Sequence, residues 1–417
     1  MATTLASGET VQVLMSLGMP VNEFTLGTST LNGTDVLDGE LIGEDITAYV
    51  QQVSADRGRS DQFASYRAGV ASIILLNNDR RFDPLNSDSP YWNNTAGRSG
   101  VQPRRKVEIT LQGEHIFTGR ITDIDLDYNQ RLSTVMVTAA DDFVLLANAA
   151  VANETTPPAQ LSGARVSFLL DLPEINYPAL SRSIDAGVAS LGAYPIGENT
   201  NALQYLQQVS ESEQGVCFVT RDGLLRFADR IPDGEVVTTA AGSFSDDLSG
   251  IPYQTLKVTY TQQNLYNRVQ AANVGGVVQT VDDLVSQAEY GTSTLPLTDL
   301  LLATDGAAQV LAADQLSKYS EPRYQFDDMS VSVSSLVAGD RAAINAIEIG
   351  DILQITKTFD SGAPLQVTEN YTVNSIRHTV TPSSHKCLFG MSYFRVLYQF
   401  ILSDAVFGVL DADNALG

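Results

Sequence analysis

From Ile46 onward apolar and polar residues alternate along much of the chain, in the period-2 pattern of half-buried strands. The segment ITAYVQQVSADRGR (46–59) predicts a strand running into a polar turn, and VASIILLNN (70–78) predicts a buried strand. VEITLQGEHIFTGRITDIDLDY (107–128) predicts a hairpin turning at Gln112-Gly113, followed by a long strand. In that strand Ile124, Leu126 and Tyr128 alternate with Asp123, Asp125 and Asp127, so the apolar set is expected on the core and all three carboxylates on the other face. STVMVTAADDFVLLAN (133–148) adds a strand and a short helix. Residues 1–45 carry few charges and read as an extended arm or a few loose strands.

The pattern changes after a Pro-containing boundary at 153–163. NTNALQYLQQVSESEQ (199–214) has apolar residues at helical spacing, with Asn199 or Thr200 as the expected N-cap and Gly215 just past the C-terminus. A hairpin turning at Asp222-Gly223 follows. Two more strands, 254–262 and 266–281, are expected, the second broken at Gly275-Gly276. A helix over 305–320 is capped by Thr304 or Asp305 and must end before Pro322. MSVSVSSLV, DILQITKTF, ENYTVNSIRHTV and HKCLFGMSYF then read as further strands. The fold class expected is mainly β with an α+β insert, two β-barrel-like domains flanking an α/β region. The boundaries are an N-terminal arm (1–45), a first β-barrel domain (46–152), an α+β insert (153–245), linking strands and a helix (246–325), a second β-barrel domain (326–395) and a C-terminal docking segment (396–417).

Length and charge narrow the function. A chain of 417 residues exceeds a single core. No run of 18 uncharged apolar residues is present, so no membrane-spanning segment is expected, and the N-terminus lacks the pattern of a signal peptide. The two cysteines, Cys217 and Cys387, read as free thiols. With 25 Lys and Arg against 49 Asp and Glu, the formal net charge is −24. That opposes nucleic-acid binding, which needs clustered cations, although an acidic wall suits DNA sliding past it. Nine of the cations fall in residues 57–106, which reads either as a patch facing an acidic partner or as scattered surface charge.

Little in the chain points to catalysis. There is no phosphate loop, no GxSxG elbow and no HExxH. His385 and Cys387 share a strand face, but a zinc site needs three or four ligands. The Asp123/Asp125/Asp127 stripe reads as a solvated face, a calcium site or the wall of an aqueous channel. No cofactor, no metal and no enzymatic activity are expected. The most crowded stretch is NNDRRFDPLN (77–86). Arg80 and Arg81 in its middle would repel a metal ion, so it reads as a structural corner: Asn77, Asn78 and Asp79 bond their own turns, Phe82 anchors the loop and Pro84 fixes the exit.

Residues 53–92, VSADRGRSDQFASYRAGVASIILLNNDRRFDPLNSDSPYW, resemble a recurring segment of minor tail proteins (tail-tip or baseplate hubs) of long-tailed, non-contractile bacteriophages. The resemblance continues through IFTGRI (116–121), SDDLSGIPYQTLKVTYTQQNLYNRV (245–269), SQAEYG, LLLATDGAAQVLAADQLSKYSEPR (300–323) and IEIGDILQIT (347–356), covering roughly 46–392. The family often has Gly where Arg80 stands. The resemblance implies a structural virion protein at the distal end of the tail, assembled in the host bacterial cytoplasm. It implies a homotrimer whose paired barrels turn threefold into sixfold symmetry. Its partners would be the distal tail protein, the tape-measure protein and a fibre or spike, with DNA passing through unbound. Arg57, Arg59, Arg80, Arg81, Phe82, Asp83 and Pro84 would form a structural or interface motif, and Asp123, Asp125 and Asp127 would face the lumen. A hexameric distal tail protein and a tail-associated cell-wall-degrading enzyme are the alternatives. Some relatives carry a C-terminal hydrolase, and none is expected here.

Overall fold

The computed structural model describes residues 3–5, 8–17, 43–94, 97–129, 131–230, 240–262 and 264–393, and the backbone of two short paired segments at 398–399 and 414–415. The docking segment expected at 396–417 lies outside the described residues apart from those two pairings.

The first β-region comprises β1 (Thr10–Met15), β2 (Val50–Gly58), β3 (Arg67–Leu76), β4 (Lys106–Leu111), β5 (Glu114–Asp127) and β6 (Thr134–Ala140). They hydrogen-bond antiparallel in the order β1-β4-β5-β6-β3-β2. Of the extended arm or loose strands expected over 1–45, β1 is a strand, but not a loose one. Val11, Val13, Met15 and Leu17 alternate into the core, so these residues belong to the fold. The β4–β5 turn falls at Gln112-Gly113 as expected, and both residues take positive φ (54° and 86°), the twist that matches tight antiparallel hairpins. The core is almost wholly aliphatic, with Phe82 and Phe117 as its fully buried aromatic rings.

The α/β region follows. α1 (Phe143–Ala147), α2 (Ser162–Leu170) and α3 (Ala202–Glu213) precede a hairpin of β7 (Val216–Val219) and β8 (Leu225–Ala228). The cap of α3 is Asn201, whose side chain accepts from Gln204 N, rather than Asn199 or Thr200. Its left-handed terminus falls on Gln214 (φ 58°), one residue before Gly215. After β9 (Gly242–Ser245) and β10 (Thr255–Tyr260), a small sheet forms from β11 (Arg268–Asn273), β12 (Gln279–Asp282) and β13 (Thr294–Leu300). The Gly275-Gly276 break is the turn of the β11–β12 hairpin. α4 (Leu284–Tyr290) and α5 (Asp305–Tyr319) complete it, α5 capped by Thr304 as expected.

The second β-region contains β14 (Tyr324–Ser332), β15 (Ile352–Thr358), β16 (Gln366–Thr381) and β17 (Ser384–Tyr393). Between β14 and β15 lies α6 (Ala338–Ala346), which sequence periodicity missed. β16 is the hub of the pairing. It bonds β15 and β17, and it also bonds β2 of the first region from Val380↔Val53 to Ser375↔Gly58. The two β-regions are therefore one continuous 15-stranded sheet among the described residues, with β14 and β10 added beyond β17 and β9 pairing parallel to β15. Mainly β with an α+β insert holds, but neither region closes into a barrel among the described residues. Two cores lie under this sheet. One belongs to the first β-region and takes Val380 from β16; the other merges the insert with the second β-region.

Candidate functional site

The corner begins where β3 ends. Asn77 is buried, and its Oδ1 accepts from Phe82 N at 3.0 Å. Asn78 Oδ1 accepts from Ser133 N at 2.8 Å, tying the loop to the start of β6. Arg80 sits at φ 57°, in the left-handed region that favours glycine, so this turn holds a glycine-like conformation with a side chain attached. That side chain is used: Arg80 Nε and Nη2 donate to Asp83 Oδ2 at 3.0 and 2.5 Å. Asp83 is buried and also accepts from Leu85 N (2.9 Å) and Tyr128 Oη (2.6 Å). Burial alone would raise its carboxyl, but the bonds from Tyr128, Leu85 and Arg80 together hold it below the ordinary aspartate value.

Phe82 enters the core fully. It meets Tyr49 edge-on at 5.6 Å and stacks on Tyr91 at 5.6 Å. Arg81 stays with its own chain: its guanidinium lies 4.0 Å over the Tyr49 ring, bonds the Tyr49 hydroxyl and pairs with Asp79 at 2.5 Å. Ser89 Oγ closes the loop on Arg81 O at 2.5 Å. Pro84 is half-buried, whereas Leu85 is 84% exposed at the tip.

The Asp stripe is placed as the alternation requires. Asp123, Asp125 and Asp127 are exposed, and Ile124 and Leu126 pack on the core. Tyr128 departs from the pattern; half-exposed, it turns its hydroxyl to Asp83 instead of joining the core. The cations of 57–106 do not gather into one patch. Arg80 and Arg81 serve the corner, Lys106 pairs with Glu108, and Arg57 and Arg59 lie where the β-regions meet.

That seam is the second site. Arg57 follows Val53 and Ala55 on the core face of β2 and is 4% exposed. Its Nη1 donates to Glu348 Oε1 at 2.7 Å, and Glu348 Oε2 accepts from Arg221 N at 2.9 Å. Arg59 donates through Nε and Nη2 to Asn374 Oδ1 (3.1 and 3.0 Å) and lies 4.8 Å over Tyr66. Gly58 allows the close approach: at φ 113°, an added Cβ would stand 2.2 Å from Asn374 O. Asp141 is buried near Arg57 and accepts from Gly69 N (2.6 Å) and Phe143 N (3.0 Å), yet burial still pushes its carboxyl up to about 7. A few residues along, His378 of β16 and His385 of β17 are buried together. His378 Nδ1 lies 3.0 Å from His385 Nε2, and His385 Nδ1 lies 2.9 Å from Glu9 Oε1.

Sequence reading singled out Arg57 and Arg59 but not Glu348, Asn374, Asp141 or the Glu9–His385–His378 chain. A signal existed for some of them. Arg57 is in phase with Val53 and Ala55, His378 with Ile376 and Val380, and His385 with Cys387 and Phe389. A charged or titratable group in the apolar phase of a strand must find a buried partner. Cys387, expected as a possible co-ligand of His385, is a buried free thiol on that face, and Cys217 is a second buried free thiol in the same core. Among the described residues no group of three or more His, Cys, Asp or Glu is placed to hold a metal ion, and no helix is long and apolar enough to cross a membrane.

This geometry, two β-regions sharing a sheet and flanking an α/β insert, is the fold of phage tail proteins. A tail protein from Neisseria meningitidis MC58 matches over 92% of this chain and 96% of its own, at 11% identity and a TM-score of 0.56. The 43 kDa tail protein of prophage MuSo2 from Shewanella oneidensis matches over 92% and 98%, at 11% identity and a TM-score of 0.57. No protein-family model matches the chain, and no curated protein matches it in sequence.

Proposed function

We propose that the chain is a structural virion protein, the hub at the distal tip of a phage tail, assembled as a homotrimer and without enzymatic activity. One observation carries this reading: two β-regions, one on a core of its own and the other on a core shared with the insert, are joined side by side through the β2–β16 pairing. Three such chains offer six β-regions, the number a threefold tip needs to meet a sixfold tube. The exposed Asp123, Asp125 and Asp127 suit a wall past which DNA slides, because carboxylates cannot displace the cations condensed on the phosphates. The corner gives a rigid mount whose outward face is Leu85 and the half-exposed Arg80. In this reading it docks on the distal tail protein, with the tape-measure protein above and a fibre or spike below.

Native mass spectrometry and cryo-EM of the purified chain test the assembly. A trimer with the Asp stripe on its inner wall supports the hub; a hexamer makes the chain a distal tail protein, and a stripe on the outer surface removes the channel role. Leu85→Glu should leave folding intact and abolish docking to tail tubes; equal docking would end the claim for the corner. Peptidoglycan release by the isolated chain in a zymogram would make it a cell-wall-degrading enzyme instead.

A further inference from the structure

Three buried titratable groups meet where the N-terminal segment crosses the seam. Glu9 precedes β1 of the first β-region, while His378 and His385 sit on neighbouring strands of the second. Glu9 and His385 are fully buried and His378 nearly so. Glu9 is the residue that leads into β1, which among the described residues pairs along its length with β4 on one side, while its other side carries two-residue pairings near either end and the bonds of Val13 with Ile46 N and Thr47 Oγ1. We propose that Glu9, His385 and His378 form an acid-released latch that fastens the N-terminal strand β1 across the seam.

The protons decide whether the latch can close. With Glu9 ionised and both rings neutral, His385 Nδ1–H donates to Glu9 and His385 Nε2 accepts from His378 Nδ1–H, so every inward-facing atom is satisfied. One added proton can be carried by His385, provided His378 changes tautomer and accepts in its turn. A second proton cannot be carried. Two N–H groups would then face each other across the 3.0 Å gap, on two like charges buried from solvent.

The surroundings resist charge on His378 from every packed element. β2 brings Arg57 and the β7–β8 turn brings Arg221, while β17 places the buried Cys387 thiol opposite His378 in register. The carboxylates nearby are already engaged: Glu348 with Arg57 and Arg221, Glu114 with the Arg221 guanidinium, and Asp141 with the backbone of Gly69 and Phe143. Burial first, then His385, Arg57 and Arg221, hold His378 well below its usual 6.5. The closed state therefore excludes a proton that the open state binds. Its stability is complete above about 6.5 and falls as pH drops, by about tenfold in the opening equilibrium per pH unit for one proton.

The test is hydrogen exchange on the intact chain, corrected for intrinsic rates, comparing β1 with β6 of the same core. From about pH 6.5 to 5, β1 amides should lose about tenfold or more in protection while β6 holds. His378→Gln keeps the Glu9–His385 bond, can donate to or accept from His385 Nε2 and cannot take the second proton, so the step in β1 protection should disappear; any contribution of Asp141 is common to both proteins and drops out of the difference between their profiles. If that variant does not fold, the imidazole resonances of the wild type decide: His378 must protonate over the same pH range in which β1 opens. A flat β1 profile in the wild type, equal loss in β1 and β6, an undiminished step in His378→Gln, or His378 protonation separated from β1 opening would each overturn the latch.

Discussion

The corner at 77–91 and the seam between the β-regions both bury charge beside apolar core, but they draw on the chain at different ranges. Most of what the corner needs is close by: Asn77 takes Phe82 N five positions on, and Asp83 takes Arg80 three positions back and Leu85 two ahead. Tyr49, Tyr128 and Ser133 flank the ends of strands of the same β-region. The seam has no such economy. Arg57 meets Glu348 at a separation of 291 positions, Arg59 meets Asn374 at 315, and His385 meets Glu9 at 376. A corner can be assembled by one β-region alone. A seam exists only after both have formed, and it leaves charged groups without partners if they part.

The sharpest way to break the seam without touching the corner is Gly58→Ala. The backbone there is left-handed and the new Cβ would collide with Asn374 O, so a loss of about 4 kcal/mol in global stability is expected. Denaturant unfolding measures it; a loss below about 1 kcal/mol would mean that the strands slide apart freely and that the close approach is not needed. Phe82→Ala is the matching insult to the corner. It should cost about 3 kcal/mol, at the low end for a buried ring because Tyr49 and Tyr91 can close in from both sides. Hydrogen exchange should place the damage in β3, β6 and the loop, leaving β16 protected; loss spread equally across the seam would show that the two sites are not separate.

Acid should also separate them. Asp83 is held below its usual 3.8, so its contribution is complete above that value and is lost as pH falls through the lower folded value. His378, depressed from 6.5, withdraws its contribution as pH drops from there. Exchange measured against pH should thus open the seam before the corner, and Asp83→Asn should remove only the later step. If the corner loosens first, the assignment of these groups is wrong. The smallest effect is expected at Arg80. Arg80→Gly relieves the left-handed backbone but removes an exposed guanidinium from the buried Asp83, which keeps Tyr128 and Leu85 as donors, and the two nearly cancel. Arg80→Val combines the lost pair with a β-branched side chain at φ 57° and should melt lower than either. A valine variant as stable as the glycine one would show that this turn carries no backbone constraint.

Much of this architecture was legible in the residues. Alternation located the strands at 107–128, 133–140 and 369–393, the paired glycines and Asp-Gly marked the hairpin turns, and Thr304 marked the start of α5. NNDRRFDPLN could be read as a corner because Asn, Asp and Pro act on backbone within a few positions of themselves. α6 escaped because its nine residues, AGDRAAINA, carry few large apolar side chains and too short a run for the helical period to register. β1 escaped because six residues of alternation sit among many of mixed character.

What the sequence determined by itself was local: where strands run, which of their faces are apolar, and that Arg57, His378 and His385 stand in the apolar phase and so require partners. Which partners was decided only in three dimensions. Nothing in the spacing of Arg57 names Glu348, and nothing near Met1 announces that Glu9 will close a chain of buried rings at 378 and 385. Strand periodicity assigns a face but not a neighbour, and the neighbour of β2 is chosen by which edge two packed cores leave free. That choice joined the β-regions into one sheet, buried the charges between them and turned an acidic N-terminal residue into part of the seam.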